Sequence, residues 1–237
     1  MSLIIVVYVN EGIVLASDRR TTYNTTTENN GIITHTVGVH TTNSTDKTFL
    51  CPNGSGISTC GDATLSGKPI TEFIKTFIRE QITSETKVSQ IPKLMVDYFS
   101  SFEIIPNAQF IIAGYEDDGN SKKQKIFRLR LIDKNIELID SQFQGAAWNG
   151  EEVTLTRLLS PVKVRNNNSG EYFDLPPQEV LWGFFTLQDA VDFAKYAVDV
   201  TIKTMRFINV VETVGGDIDI LVITPDESKW LQKKEID

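Results

Sequence analysis

The residues of this chain with the most chemical reach stand at its start. Ser2 follows Met1 and precedes the apolar run Leu3-Ile4-Ile5-Val6-Val7-Tyr8-Val9. With Met1 removed, an α-amine and a hydroxyl belong to one residue. An α-amine titrates near pH 8, so it can serve as general base for its own side chain and make that hydroxyl a nucleophile. The run starts with no leader or polar tail, which is expected to set the amine beside the core. Taken alone, Ser2 reads as an ordinary second residue. The other reactive side chains are weaker candidates. Cys51 and Cys60 form neither a disulfide framework nor a zinc site and read as small buried hydrophobes. His35 and His40 are five apart on a strand and face opposite sides. They suit neither a two-histidine metal site nor a Ser-His triad. The stretch from Gly61 to Pro69 misses the phosphate-loop pattern, with Pro69 where a magnesium-binding Ser or Thr would stand. No cofactor and no metal is called for.

The elements that must position Ser2 are readable from periodicity. Ile4–Val9 and Gly12–Ser17 read as strands joined by a tight turn at Asn10-Glu11. Both are nearly continuous in Ile, Val and Leu, so both faces should be covered. The second ends in Ser17-Asp18-Arg19-Arg20, where Asp18 and Arg20 by themselves suggest a salt-bridged strand end. Residues 21–46 are rich in Thr and Asn and predict an exposed hairpin arm around Asn30-Gly31. Lys47–Leu50 and Gly56–Cys60 suggest a further strand pair. Helical spacing follows at Ile70, Phe73, Ile74, Phe77 and Ile78, and again at Val88, Ile91, Met95, Val96, Phe99 and Phe102. Pro92 marks an early turn or kink in that second helix. Three strands are expected at 109–115, 125–132 and 136–141, and a third helix at 150–159. Residues 160–178 read as irregular. A long helix opens at Thr186, a suitable N-cap, and a last strand runs from Ile218 to Ile223. The order predicts an α+β protein of antiparallel sheets with helices outside them, in one domain over residues 1–237.

The chain has 237 residues and a formal net charge of −8, with a pI near 4.9. That balance argues against nucleic acid and against an anionic membrane as partners. No apolar run approaches the roughly 18 residues of a membrane span. The N-terminal residues lack the basic region and cleavage site of a signal peptide, and a cytoplasmic location is expected.

Gly12-Ile13-Val14-Leu15-Ala16-Ser17-Asp18-Arg19-Arg20 resembles the N-terminal signature of proteasome β-type subunits and their bacterial homologues. Lys47 at a strand start, Cys60-Gly61 read as opening a helix, and Phe110-Ile111-Ile112-Ala113-Gly114-Tyr115 fall on further landmarks of that family. So do Gln144-Gly145-Ala146-Ala147-Trp148-Asn149-Gly150 and Val214-Gly215-Gly216-Asp217-Ile218-Asp219. With nothing before the first strand, the β-type resemblance is better than the α-type. The resemblance implies the four-layer αββα sandwich of N-terminal-nucleophile (Ntn) hydrolases. It implies a peptidase acting on peptide or protein substrates, and self-association into a homo-oligomeric ring. By resemblance Ser2 takes the place of the catalytic N-terminal Thr, and Asp18 and Lys47 those of the conserved Asp and Lys. Gly61 stands where a backbone N–H forms the oxyanion hole, and Thr21 and Thr59 on pocket walls. Ala146, Val211 and Val214 replace a Ser, an Asp and a Ser of the family, and the segment from Asp18 to Lys47 is longer than usual. Two other functions therefore stay open: a catalytically silent assembly subunit, or a small-molecule amidohydrolase on the same fold. The apolar density of the helix after Gly61 is expected to leave a patch for a neighbouring subunit.

Overall fold

The computed structural model describes residues 2–29, 31–119, 121–175 and 179–234, without the side chains of Asn29, His35 and Val37. β1 (Leu3–Val9) and β2 (Gly12–Asp18) form the expected hairpin, with Val9 opposite Gly12. Every residue of both strands is buried, as their unbroken apolar character requires. The polar stretch after them is a two-stranded ribbon, β3 (Thr21–Asn29) and β4 (Ile32–Thr42), whose register slips between Tyr23 and Thr25. Its turn residue Asn30 lies outside the described residues. β5 (Thr48–Leu50) and β6 (Gly56–Gly61) follow.

Cys60-Gly61 does not open a helix. It ends β6, and a small hairpin of β7 (Thr64–Leu65) and β8 (Lys68–Pro69) intervenes. Helix α1 (Ile70–Gln81) starts only after Pro69, because a proline tolerates a helix start but not an interior. A 3-10 turn at Val88–Gln90 leads into α2 (Ile91–Phe99), with Pro92 in its first turn. Then come β9 (Ala108–Asp117), β10 (Lys122–Arg130), β11 (Asn135–Ile139) and β12 (Gly145–Gly150). β12 occupies residues expected to lead into a helix, and α3 (Val153–Leu159) begins three residues beyond Gly150. The stretch read as irregular holds a hairpin of β13 (Lys163–Arg165) and β14 (Tyr172–Asp174); residues 176–178 lie outside the described set. Helix α4 (Leu187–Phe207) is capped by Thr186, whose hydroxyl accepts from Asp189 N–H while Asp189 accepts from Thr186 N–H. β15 (Ile218–Ile223) and β16 (Ser228–Gln232) close the chain.

Two five-stranded antiparallel sheets result, ordered β12-β1-β2-β15-β16 and β11-β10-β9-β6-β5. The period of two along β1 divides its side chains between two cores. Leu3, Ile5, Val7 and Val9 pack with Ala190, Ala194 and Val198 of α4. Ile4, Val6 and Tyr8 pack with Ile111, Ala113 and Ile126 of the other sheet. A third core joins α1 and α2 to Phe110 and Ile112. The patch expected on α1 is absent. Ile70, Ile74, Phe77 and Ile78 are all buried in that third core, and Phe73 packs against it. The exposed large apolar side chains stand elsewhere, with Phe143 at 76%, Leu181 at 63% and Phe184 at 82% exposure. No helix among the described residues is long and apolar enough to cross a membrane.

Candidate active site

The β1–β2 hairpin brings Asp18, the last residue of β2, back beside residue 3. Asp18 is fully buried. Its Oδ1 accepts from Leu3 N–H at 3.1 Å and from Lys47 Nζ at 2.8 Å. Its Oδ2 accepts from Gly215 N–H at 2.9 Å and from Arg20 N–H at 3.1 Å. One carboxylate thus ties together both sheets and the loop before β15. Lys47 lies just before β5 and is 3% exposed. Its ammonium also donates to the Arg20 carbonyl, and its own carbonyl accepts from Thr59 N–H at 2.8 Å. Burial drives the Lys47 pKa down, and the Asp18 carboxylate opposes that fall. Beneath the pair, the hydroxyls of Ser17, Thr48 and Ser58 form a buried chain with steps of 2.8 and 2.9 Å. It joins the flanks of Asp18 and Lys47 across the two sheets.

Ser2 is 7% exposed. Its carbonyl accepts from Glu151 N–H at 2.9 Å, and Leu3 pairs with Gly150. Gly150 has φ +100°, and a Cβ there would stand 1.8 Å from the Ser2 carbonyl oxygen. Only glycine allows so close an approach. The Ser2 hydroxyl makes no hydrogen bond among the described residues. It lines a cleft with Lys47, Thr21, Thr59, Gly61 and Asp62. Gly61 has φ +113°, and a Cβ there would meet the Asn107 carbonyl oxygen at 2.3 Å. Cys60 also lines the cleft, but burial pushes its thiol up to about 12. Cys51 is likewise raised to about 12 by burial, so both are protonated and inert at neutral pH.

Of the four residues singled out in the sequence, Ser2, Lys47 and Gly61 line one cleft, and Asp18 is buried behind it, bound to Lys47. The two neighbouring arginines are engaged by carboxylates. Arg19 is bound by Asp219 at 2.8 Å and Asp46 at 3.1 Å, and Arg20 by Glu212 at 2.6 Å. Ala146 does not flank Ser2: it pairs with Val7, while Gly150 and Glu151 occupy the place beside residue 2. Val214 is 1% exposed in the core under α4, and Val211 is 46% exposed. His40 stacks on Tyr23 at 5.8 Å; the His35 side chain and Met1 lie outside the described residues. Gly150, Glu151 and Gly215 were missed as site-forming residues. They act through backbone atoms, and only the Gly-Gly pair before β15 hinted at one of them.

Comparison with solved structures gives the fold. The Anbu (Gly-1) mutant from Hyphomicrobium sp. strain MC1 matches with a TM-score of 0.61 and 16% identity, over 99% of this chain and 87% of that one. Anbu from the same strain gives 0.57 and 14%, over 98% and 88%. Anbu (ancestral beta-subunit) from Yersinia bercovieri gives 0.55 and 13%, over 98% and 87%. The chain has the fold of the Anbu proteins. This corrects the resemblance to proteasome β-type subunits, because the Anbu proteins are proteasome-like but a distinct family. At such identities the likeness speaks for the fold alone. No family model and no curated protein matches the sequence.

Proposed function

We propose that the cleft is the active site of an Ntn peptidase with Ser2 as nucleophile. The observation that carries this reading is the Asp18 carboxylate, which holds the Lys47 ammonium and the backbone of residue 3 together beside a nearly buried Ser2 whose hydroxyl has no partner among the described residues. After removal of Met1, the Ser2 amine takes the hydroxyl proton as Oγ attacks the peptide carbonyl. The Lys47 charge favours the neutral amine and steadies the developing alkoxide. Gly61 N–H donates to the oxyanion, in a backbone conformation closed to other residues. The protonated amine then gives its proton to the leaving amine, and water releases the acyl group from Ser2. Substitution of Ser2 or Lys47 by Ala should abolish amide hydrolysis, and unchanged turnover in either variant would defeat the reading.

The core assignments support a four-layer αββα arrangement of the Ntn type, with α1 and α2 outside one sheet and α3 and α4 outside the other. We read residues 1–237 as one such domain, cytoplasmic, and assembled with further copies of itself into a ring. The exposed Phe143, Leu181 and Phe184 support the assembly. A silent assembly subunit is the second reading, favoured by Val211 and Val214 where the resemblance led to an Asp and a Ser. Peptide turnover that disappears with Lys47→Ala would count against it. A small-molecule amidohydrolase would instead cleave acylated small molecules and spare peptides.

A further inference from the structure

We propose that this cleft selects a substrate with a cationic side chain, of lysine or arginine type, and that Asp62 is the carboxylate that selects it. The inference rests on the peptidase reading of the same cleft. Its walls combine two characters. Ile70, 5% exposed, and Ala63 are apolar. Thr21 and Thr59 are 8% and 4% exposed, and their hydroxyls make no hydrogen bond among the described residues. A long alkyl stem suits the apolar wall and the threonine methyls. The polar head it carries meets the two hydroxyl oxygens and then the lip of the cleft, as lysine and arginine do wherever a stem is buried and a head is not. A large neutral side chain would instead desolvate both hydroxyls with nothing to pair them, which is costly.

The charges around the cleft decide the sign. The Lys47 ammonium is matched by Asp18 at 2.8 Å. Asp46 is matched by Arg19 at 3.1 Å and Lys75 at 2.7 Å. Asp62 has no ion-pair partner among the described residues. Its Oδ2 accepts from Asn107 N–H at 2.8 Å, which fixes the carboxylate at the lip, and its Oδ1 accepts no hydrogen bond among them. Among the described residues the cleft therefore presents one uncompensated negative charge beside two unpartnered hydroxyls, on a protein of net charge −8 that attracts cations from a distance.

The test uses the Ser2→Ala protein, so binding is read without turnover. Calorimetry compares Ala-Ala-Arg-amide with Ala-Ala-Leu-amide. The arginine peptide should bind about tenfold more tightly at low salt, the scale of one hydrogen bond to a charged group. Its advantage should shrink as salt is raised, while the leucine peptide responds little. Asp62→Asn in the same background should remove most of the advantage. Equal or tighter binding of the leucine peptide, binding of neither, or an advantage indifferent to salt overturns the proposal. So does an advantage that survives Asp62→Asn. Should that variant fail to fold, the salt series on Ser2→Ala alone decides. Failure of the peptidase reading looks different: the arginine peptide binds, and the chain with Ser2 leaves it intact.

Discussion

Asp18 accepts three backbone N–H groups, from Leu3, Arg20 and Gly215, besides the Lys47 ammonium. Removal of the cation leaves that carboxylate buried with its neutral donors alone. Lys47→Ala is therefore expected to cost about 3 kcal/mol of stability, read from urea unfolding, and at least about a hundredfold in amide hydrolysis. A variant of full stability would show that the pair is not what holds the two sheets together here. Asp46 gives a pH-dependent case. Burial pushes its carboxyl up, but the hydrogen bond and charge of Lys75, with the charge of Arg19, outweigh burial and hold it below its ordinary value. Its contribution is thus complete above about pH 4 and is lost as pH falls through the lowered value. The gap in melting temperature between the parent and Asp46→Asn should close as pH is lowered from 6 towards 3. A gap constant with pH would place the stabilisation elsewhere. Asp18 and Lys47 are 29 positions apart, and composition and spacing give no reason to join them. Their match to a family pattern did. The hydroxyl chain through Ser17, Thr48 and Ser58 had no such signal, since buried serines in strands look like any others.

β12 shows why one element escaped sequence reading while its neighbours did not. Gly145, Ala147 and Asn149 are its buried positions, and Trp148, packed against the core under α4, is its one residue of the β-branched or aromatic kind that marks a strand. β1 and β2 were legible because their apolar runs are unbroken, and α4 because Ala190, Val191, Ala194, Ala197 and Val198 recur at helical spacing behind the N-cap Thr186. β16 hides as a short polar edge strand, the form that edges commonly take. Two predictions belong to elements. Thr186→Ala removes a cap and should lower stability by about 1 kcal/mol, measured by urea unfolding; no change would mean that α4 is held by its packing on β1 and β2 alone. Gly150→Ala puts a Cβ into the space of the Ser2 carbonyl at positive φ. It should destabilise by more than about 1 kcal/mol and displace Ser2, so that labelling of residue 2 by a serine-reactive inhibitor falls more steeply than stability does. Full labelling would show that β12 does not position residue 2.

Across the whole molecule, the two sheets meet over the core of Ile4, Val6, Leu15, Ile111 and Ile126, and the cleft lies beside residue 2, where β6 ends and β5 begins. The proposed self-association would draw on side chains that no sequence pattern singled out, the exposed Phe143, Leu181 and Phe184, since α1 spends its apolar face on its own core. Light scattering is expected to give a mass several times that of the 26.6 kDa chain, and Phe184→Ser should reduce it. A clean monomer at high concentration would remove the ring. The central claim is that residue 2 is a nucleophile with a free amine, and intact mass spectrometry tests it most directly. The purified protein is weighed before and after treatment with a serine-reactive covalent inhibitor, and the adduct is mapped by fragmentation. The account predicts a chain lacking Met1 that gains one inhibitor on Ser2, with no gain in Lys47→Ala. A chain that retains Met1, or an adduct on any other residue, would contradict it.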